Sequence, residues 1–244
     1  MVTVTTSWDD GDARDVRVVA LLDTYGARGS FYVTKAYRSH RLSEDAIREL
    51  AARHEIGAHT LTHPDLTVLS YEEQLKELRG SKEWLESVLG REIDMACYPF
   101  GRANDSARKA AKDAGFIGAR STRKTLGEAA VNPFDMPVTM MTYRLPYGFL
   151  HKASLALRRG TGVSIEHAPF LRNDAWLQRA KDKFSTVRAQ GGVFHVWGHS
   201  WEVDELDLWR SLEELLAYIA GCEDVQFKTN GEVIRSLSAS AQAT

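Results

Sequence analysis

Asp9 and Asp10 stand side by side after the β-branched run 2–6 and just before Gly11. His59 and His63 stand four apart in His59-Thr60-Leu61-Thr62-His63, and His199 with Glu202 follows another apolar run, 193–197. Two imidazoles at that separation can reach one cation, and a carboxylate added to them makes a two-His, one-Asp site. Such a set leaves coordination positions open for water and substrate, as a catalytic metal requires. Neighbouring side chains of an extended chain point to opposite sides, so one aspartate can ligate while the other faces a substrate water. An imidazole titrating near neutrality suits a general acid. Taken singly the signals are ordinary, since a paired aspartate before glycine is often only a turn. Placed together at strand ends, they predict a shared metal site.

The elements that must position these residues alternate along the chain. Strand-like runs fall at 2–6, 30–33, 55–59, 95–98, 116–119, 193–197 and 225–228. Helical periods fall at 14–25, 43–52, 70–90, 104–114, 174–190 and 206–220. Ser70 and Glu73 have the spacing of a capping box. Strands alternating with helices of this length predict an α/β fold with a parallel sheet. With no linker in sight, the expectation is a single distorted (β/α) barrel of about seven strands over residues 1–235, ending in a flexible polar tail, 236–244. The stretch 122–170 has no clear period and reads as long loops. In parallel α/β folds the chemistry sits at the C-terminal ends of strands. Asp9 and Asp10 end the first strand, His59 and His63 the third, Tyr98-Pro99-Phe100-Gly101 the fourth, and His199 the last long one.

Composition narrows the function classes. The 244 residues carry 31 basic and 33 acidic side chains, a formal charge of −2, so there is no basic field for nucleic acid. No run of 18 or more apolar residues could span a membrane. Cys97 and Cys222 are too few for a disulfide framework or a four-cysteine zinc site. The start of the chain has neither a basic nor an apolar leader segment, which gives a cytoplasmic expectation. No G-x-S-x-G elbow supports a serine mechanism.

Four motifs in order carry a family resemblance. Ser7-Trp8-Asp9-Asp10-Gly11 is similar to an S/T-F-D-D-G signature, and the His59–His63 run to H-S/T-x-x-H. Tyr98-Pro99-Phe100-Gly101 is similar to P-Y-G, and Trp197-Gly198-His199-Ser200-Trp201-Glu202 to a late histidine motif. The chain thus resembles the polysaccharide deacetylase family, the NodB-homology carbohydrate esterases, from Ser7 to Glu202. The resemblance implies a divalent ion, zinc first and cobalt or nickel next, and hydrolysis of the acetamido group of an N-acetylated saccharide. It implies Asp9 as general base, Asp10, His59 and His63 as metal ligands, and His199 as general acid. It also implies a backbone N–H near Phe100 as an oxyanion donor. Trp8, Tyr98, Trp197 and Trp201 lie beside these residues in sequence, where aromatic faces could meet a sugar.

The departures are as informative. Family members often have an arginine four residues before the motif glycine, where it orients the base; here that position is Cys97, with Arg102 as a candidate replacement. The family's D-x-x-D-W element has no clean counterpart, Asp174-Ala175-Trp176 falling short, and Glu202 or Asp204 could tune the late histidine instead. His195 competes with His199 for the acid role but reads as a buried, satisfied histidine. His40, His54 and His151 read as surface residues, and His167 could line a pocket. Two other functions stay open: hydrolysis of a small non-carbohydrate amide by the same fold, or metal retention without turnover, which the cysteine at 97 motivates.

Overall fold

β1 (Val2–Trp8) is buried along almost its whole length because it has neighbours on both edges. Its seven residues pair in parallel with β8 (Gly192–Gly198), and Thr6–Trp8 pair with β2 (Gly29–Val33). From β2 the parallel ladder continues to β3 (Glu55–Ala58), β4 (Met95–Cys97) and β5 (Gly118–Lys124). This computed structural model describes residues 1–128, 132–142 and 173–242.

The ring is completed by one short stretch that changes partners. β6 (Met136–Val138) pairs with β5, and β7 (Met140–Met141) pairs with β8. Thr139 between them donates its N–H to the His195 carbonyl at 2.9 Å. Counting β6 and β7 as one stave gives the seven-strand, nearly closed parallel barrel expected from the sequence. β9 (Val225–Phe227) lies outside this path, beside Val2–Val4.

Helices cover the outside: α1 (Asp15–Thr24), α2 (Glu44–Ala51), α3 (Tyr71–Leu89), α4 (Asp105–Asp113), α5 (Asn173–Gln190), α6 (Ser200–Glu205), α7 (Trp209–Ala220) and α8 (Asn230–Gln242). α3 shows why local sequence suffices for such an element. Ser70 and Glu73 form the capping box, and Gly90 closes the last turn in the left-handed region at φ +65°. Between them Gln74, Leu78, Ser81, Leu85 and Val88 keep one buried face. Each fully buried leucine there contributes about 1.5–3 kcal/mol of hydrophobic stabilisation.

Four elements depart from the expectation. β6 and β7 fall within the stretch read as loops, and at three and two residues they are too short to show a period. The short helix α6 follows β8 directly. Positions 236–242, read as part of a polar tail, belong to α8. Among the described residues no helix is long and apolar enough to cross a membrane.

Candidate active site

The strand ends place the first three motifs together through strained turns. Asp10, Thr60, His63 and Phe100 all have positive φ, between 58° and 77°, and Asp207 is the only other non-glycine residue like them among those described. Such conformations cost on the order of 1–3 kcal/mol each and persist where surrounding bonds over-determine them. Here the His63 N–H donates to Thr60 Oγ1 at 3.0 Å, and Thr60 Oγ1 donates to the His59 carbonyl at 2.6 Å. The Leu61 and Thr62 N–H groups both donate to Glu77 of α3 at 2.9 Å. After β1, Gly11 at φ +67° is packed so closely on Val33 that a Cβ would overlap it.

The loop so fixed turns two imidazoles onto one carboxylate. His59 Nε2 and His63 Nε2 lie 3.8 and 3.6 Å from Asp10 Oδ1, and the three ligand atoms fall within 4.8 Å of one another. His59 Nδ1–H donates to the Cys97 carbonyl at 2.8 Å, which leaves Nε2 with its lone pair towards Asp10. Burial pushes both imidazoles down to about 4, so they are neutral, the ligating form, near pH 7. Asp10 Oδ1 is buried with no hydrogen-bond donor, while Oδ2 accepts from Trp201 Nε1 at 3.2 Å. A buried carboxylate oxygen with no donor, facing the lone pair of His59 Nε2 and a second neutral imidazole whose Nδ1 also has no partner among the described residues, is costly unless a cation joins them. The donor set therefore fits a divalent ion.

Asp9 is organised differently. Its Oδ1 is held by Arg120 Nη2, an ion pair across 111 residues with both partners buried. The guanidinium lies over the rings of Trp197 and Tyr32, 4.8 and 5.5 Å from their centroids. Cys97 and Arg120 are direct partners in the β4–β5 ladder, and Cys97 Sγ approaches Asp9 Oδ2 at 3.7 Å. The cation missing at 97 thus arrives from the neighbouring strand. Burial alone would raise the Asp9 pKa, but Arg120, His59 and His199 outweigh it and hold the carboxyl below its ordinary value. Arg102, the expected replacement, instead pairs with Asp65 at 2.8 Å on the surface.

His199 supplies the third group. Its Nδ1–H donates to Glu202 Oε2 at 2.7 Å, and its Nε2 lies 3.9 Å from Asp10 Oδ2. Burial depresses its pKa, yet Glu202 first, with Asp9 and Asp10, more than compensates and the imidazole ends above its ordinary value. Asp204, the other candidate partner, is engaged by Arg14 and by Trp209 Nε1. His195 is spoken for on both nitrogens, by Ser7 Oγ at 2.8 Å and the Pro137 carbonyl at 2.9 Å, and burial pushes it down to about 3. It is the satisfied core histidine the sequence suggested.

A cavity of about 720 Å³ opens over these groups. Asp9, Asp10, His59, His63, Phe100, His199 and Trp201 line it. Two expected residues do not. Trp8 and Tyr98 are fully buried in the core, Trp8 Nε1 donating to Thr6 Oγ1 at 3.3 Å and the Tyr98 hydroxyl to the Phe134 carbonyl at 3.0 Å. Alternation explains both: a side chain next to a site residue along an extended strand faces the opposite way. His54, expected at the surface, is also buried, accepting from the Gly29 N–H at 3.2 Å. His40 is exposed as expected, and His151 and His167 lie outside the described residues.

The sequence reading missed Arg120, Trp176 and Tyr37. Arg120 follows directly on the run 116–119, and a charge embedded in a buried strand is itself a signal. Trp176 lines the cavity from α5, and Tyr37 stacks on His63 with centroids 4.0 Å apart.

Residues 2–119 match the family model described as polysaccharide deacetylase. Over that stretch, just under half of its length, the chain is similar to that family. From Bacillus subtilis, the peptidoglycan-N-acetylmuramic acid deacetylase PdaC is 31% identical over 108 residues, 43% of this chain and 23% of that protein. The "Putative polysaccharide deacetylase YxkH" of the same organism is 28% identical over 114 residues, 45% of this chain and 41% of that protein. The matches thus span less than half the length of either curated relative. Among solved structures, a "putative polysaccharide deacetylase" from Mycobacterium smegmatis superposes with a TM-score of 0.75 at 18% identity, covering 98% of this chain and 91% of that one. A family 4 carbohydrate esterase from Streptomyces lividans, in complex with acetate, gives 0.58 at 14% identity, covering 93% and 91%. At these identities the structural likenesses establish the fold alone.

Proposed function

We propose that this protein is a member of the polysaccharide deacetylase family and a metal-dependent hydrolase that removes the acetyl group from an N-acetylated saccharide. The observation that carries the reading is the convergence of Asp10, His59 and His63 within 4.8 Å on the wall of one cavity that Asp9 and His199 also line. The names of the matched relatives, PdaC's N-acetylmuramic acid among them, support an N-acetylated sugar as substrate.

Asp10, His59 and His63 would hold the ion, and a donor set of two imidazoles and one carboxylate suits zinc, with cobalt or nickel as substitutes. When bound, the ion supplies Lewis-acid polarisation of the acetyl carbonyl and eases ionisation of the hydrolytic water. Asp9, kept ionised by Arg120, accepts the proton of the attacking water as its oxygen bonds to the carbonyl carbon. The backbone at Phe100, turned by its positive φ at the cavity wall, is the oxyanion donor. His199, kept protonated by Glu202, gives its Nε2 proton to the departing amine nitrogen as the C–N bond breaks. Acetate and a free amine result, and no covalent intermediate is required. Trp201 and Trp197 offer ring faces for a pyranose.

Metal analysis and acetate release from N-acetylglucosamine oligomers, before and after chelation and zinc reconstitution, test this. Asp10→Ala should lose metal and activity together. Asp9→Asn should retain metal and lose turnover by about 10²–10⁴-fold. Full activity in the metal-free protein would overturn the reading.

A further inference from the structure

The two ligand histidines are oriented in different ways. His59 Nδ1–H is fixed by the Cys97 carbonyl, the kind of hydrogen bond that ordinarily sets the ring of a ligating histidine. His63 Nδ1 is buried and, among the described residues, has no partner. Its ring is held by other rings instead. Tyr37 stacks on it with centroids 4.0 Å apart and an interplanar angle of 17°, while His59 and Phe100 meet it edge-on at 4.8 Å. Tyr37 is 45% exposed, so it does not stand there to fill the core. Arg38, the next residue, braces the third ligand. Its guanidinium lies 4.2 Å from the centroid of the Trp201 ring, and Trp201 Nε1 is the donor to Asp10 Oδ2. Arg38 also stands 4.0 Å from Asp10 Oδ2 and 3.9 Å from Asp12 Oδ2. Asp10 Oδ2 is thereby engaged, and Oδ1 is the oxygen left towards the two imidazoles.

Both residues come from one loop, 34–42, after a strand that contributes none of the ligand set. β2 lies between β1 and β3 in the ladder, and its loop is bonded to the turns that follow both neighbours. Thr34 Oγ1 donates to the Asp10 carbonyl at 3.2 Å, and the Leu42 N–H to the Gly11 carbonyl at 2.9 Å. The Ala13 N–H donates to the His40 carbonyl at 3.0 Å. The Ala36 N–H donates to the Leu61 carbonyl at 2.9 Å, midway between His59 and His63. We propose that Tyr37 and Arg38 are positioning residues for the metal ligands. Tyr37 sets the ring plane of His63 where a hydrogen bond would otherwise do so, and Arg38, through Trp201, keeps Asp10 Oδ2 engaged so that Oδ1 alone serves the ion. This rests on the metal-binding part of the deacetylase reading and on nothing about the substrate.

Zinc is titrated into the chelator-stripped full chain against a competing metal indicator, with no saccharide present, and cobalt is then bound for its visible absorption. Tyr37→Ala should weaken zinc binding about 10–100-fold, the loss typical of an outer partner that orients a ligand. Tyr37→Phe keeps the ring and should bind zinc nearly as tightly as the native chain. In Trp201→Phe and in Arg38→Lys, which keeps the charge without the planar stack, the second Asp10 oxygen is freed to join the first. The cobalt ion then gains a ligand and its visible bands weaken. Native affinity in Tyr37→Ala overturns the role of Tyr37, and an equal loss in Tyr37→Phe overturns stacking as its cause. Cobalt bands unchanged in Arg38→Lys overturn the role of Arg38, and bands unchanged in Trp201→Phe overturn its route through Trp201. Failure of the native chain to bind either ion would overturn the ligand set and the positioning residues with it. Tight native binding that none of these substitutions alters overturns the positioning proposal alone.

Discussion

The two proton-transfer groups of the cavity are tuned by opposite means in opposite surroundings. Asp9 is buried and paired with Arg120, which comes from a strand 111 residues away and is itself sealed from solvent. His199 stands at the cavity mouth, 16% exposed, and is paired with Glu202 one helical turn downstream. Both pairings favour the charged form against burial: the arginine holds the carboxyl down, the glutamate holds the imidazole up. The result is a base that stays ionised and an acid that stays protonated in the same pH range. The difference is in what each pairing costs to lose. Breaking a buried pair strands a charge in a dry interior, whereas Glu202 and His199 keep partial access to water.

The comparison gives its own tests. The largest effect is expected from His199→Gln, which should cut turnover by about 10²–10⁴-fold with metal content unchanged. His195→Gln should leave turnover within the same order of magnitude, and equal losses in the two variants would break the distinction between them. Next comes Arg120→Met. Stranding the Asp9 carboxylate should destabilise the fold by about 3–5 kcal/mol, read as a lower thermal or denaturant midpoint. Because Arg120 depresses the Asp9 pKa and burial raises it, the acid limb of the pH–rate profile should move to higher pH. An unmoved acid limb would mean that Arg120 does not set the base. Glu202→Gln should have the smallest effect and the opposite sign. His199 loses the group that raises it, so the alkaline limb moves to lower pH while the maximal rate falls only about 10–100-fold, as for other partners that orient a reacting group. The two limbs should therefore approach each other from opposite sides in these variants.

The same contrast explains what could be read from the sequence. Glu202 was a candidate because a partner one helical turn from His199 is visible as spacing. Asp10, His59 and His63 were legible for a similar reason: each pair is short-range, and strand ends bring such motifs to one face. Arg120 was not, since nothing in a one-dimensional pattern says that position 120 lies across the ladder from Cys97. What the chemistry needs is a guanidinium at a point in space, and adjacent parallel strands can both deliver one there. The cysteine that argued against catalysis is then only the small residue that leaves room. Trp8 and Tyr98 were assigned to the site by sequence proximity and lost to the two-residue period of extended chain. The barrel itself followed from alternating elements, except for β6 and β7, whose brevity hid them.

Those two short strands tie the shape of the cavity to the integrity of the ring. Thr139, Met140 and Met141 are lining residues and at the same time the clasp that joins β5 to β8. The clasp is narrow, with backbone N–H hydrogen bonds from Thr139 and Thr142 to β8 carbonyls on either side of β7. A change that remodels this wall for a different sugar therefore acts on the joint that holds the barrel shut. Substrate range and closure cannot drift independently along that edge, where Trp176 of α5 also donates to the Met141 carbonyl at 3.0 Å, and adaptation is easier from Lys183 of α5, which reaches the cavity from outside the strand ladder.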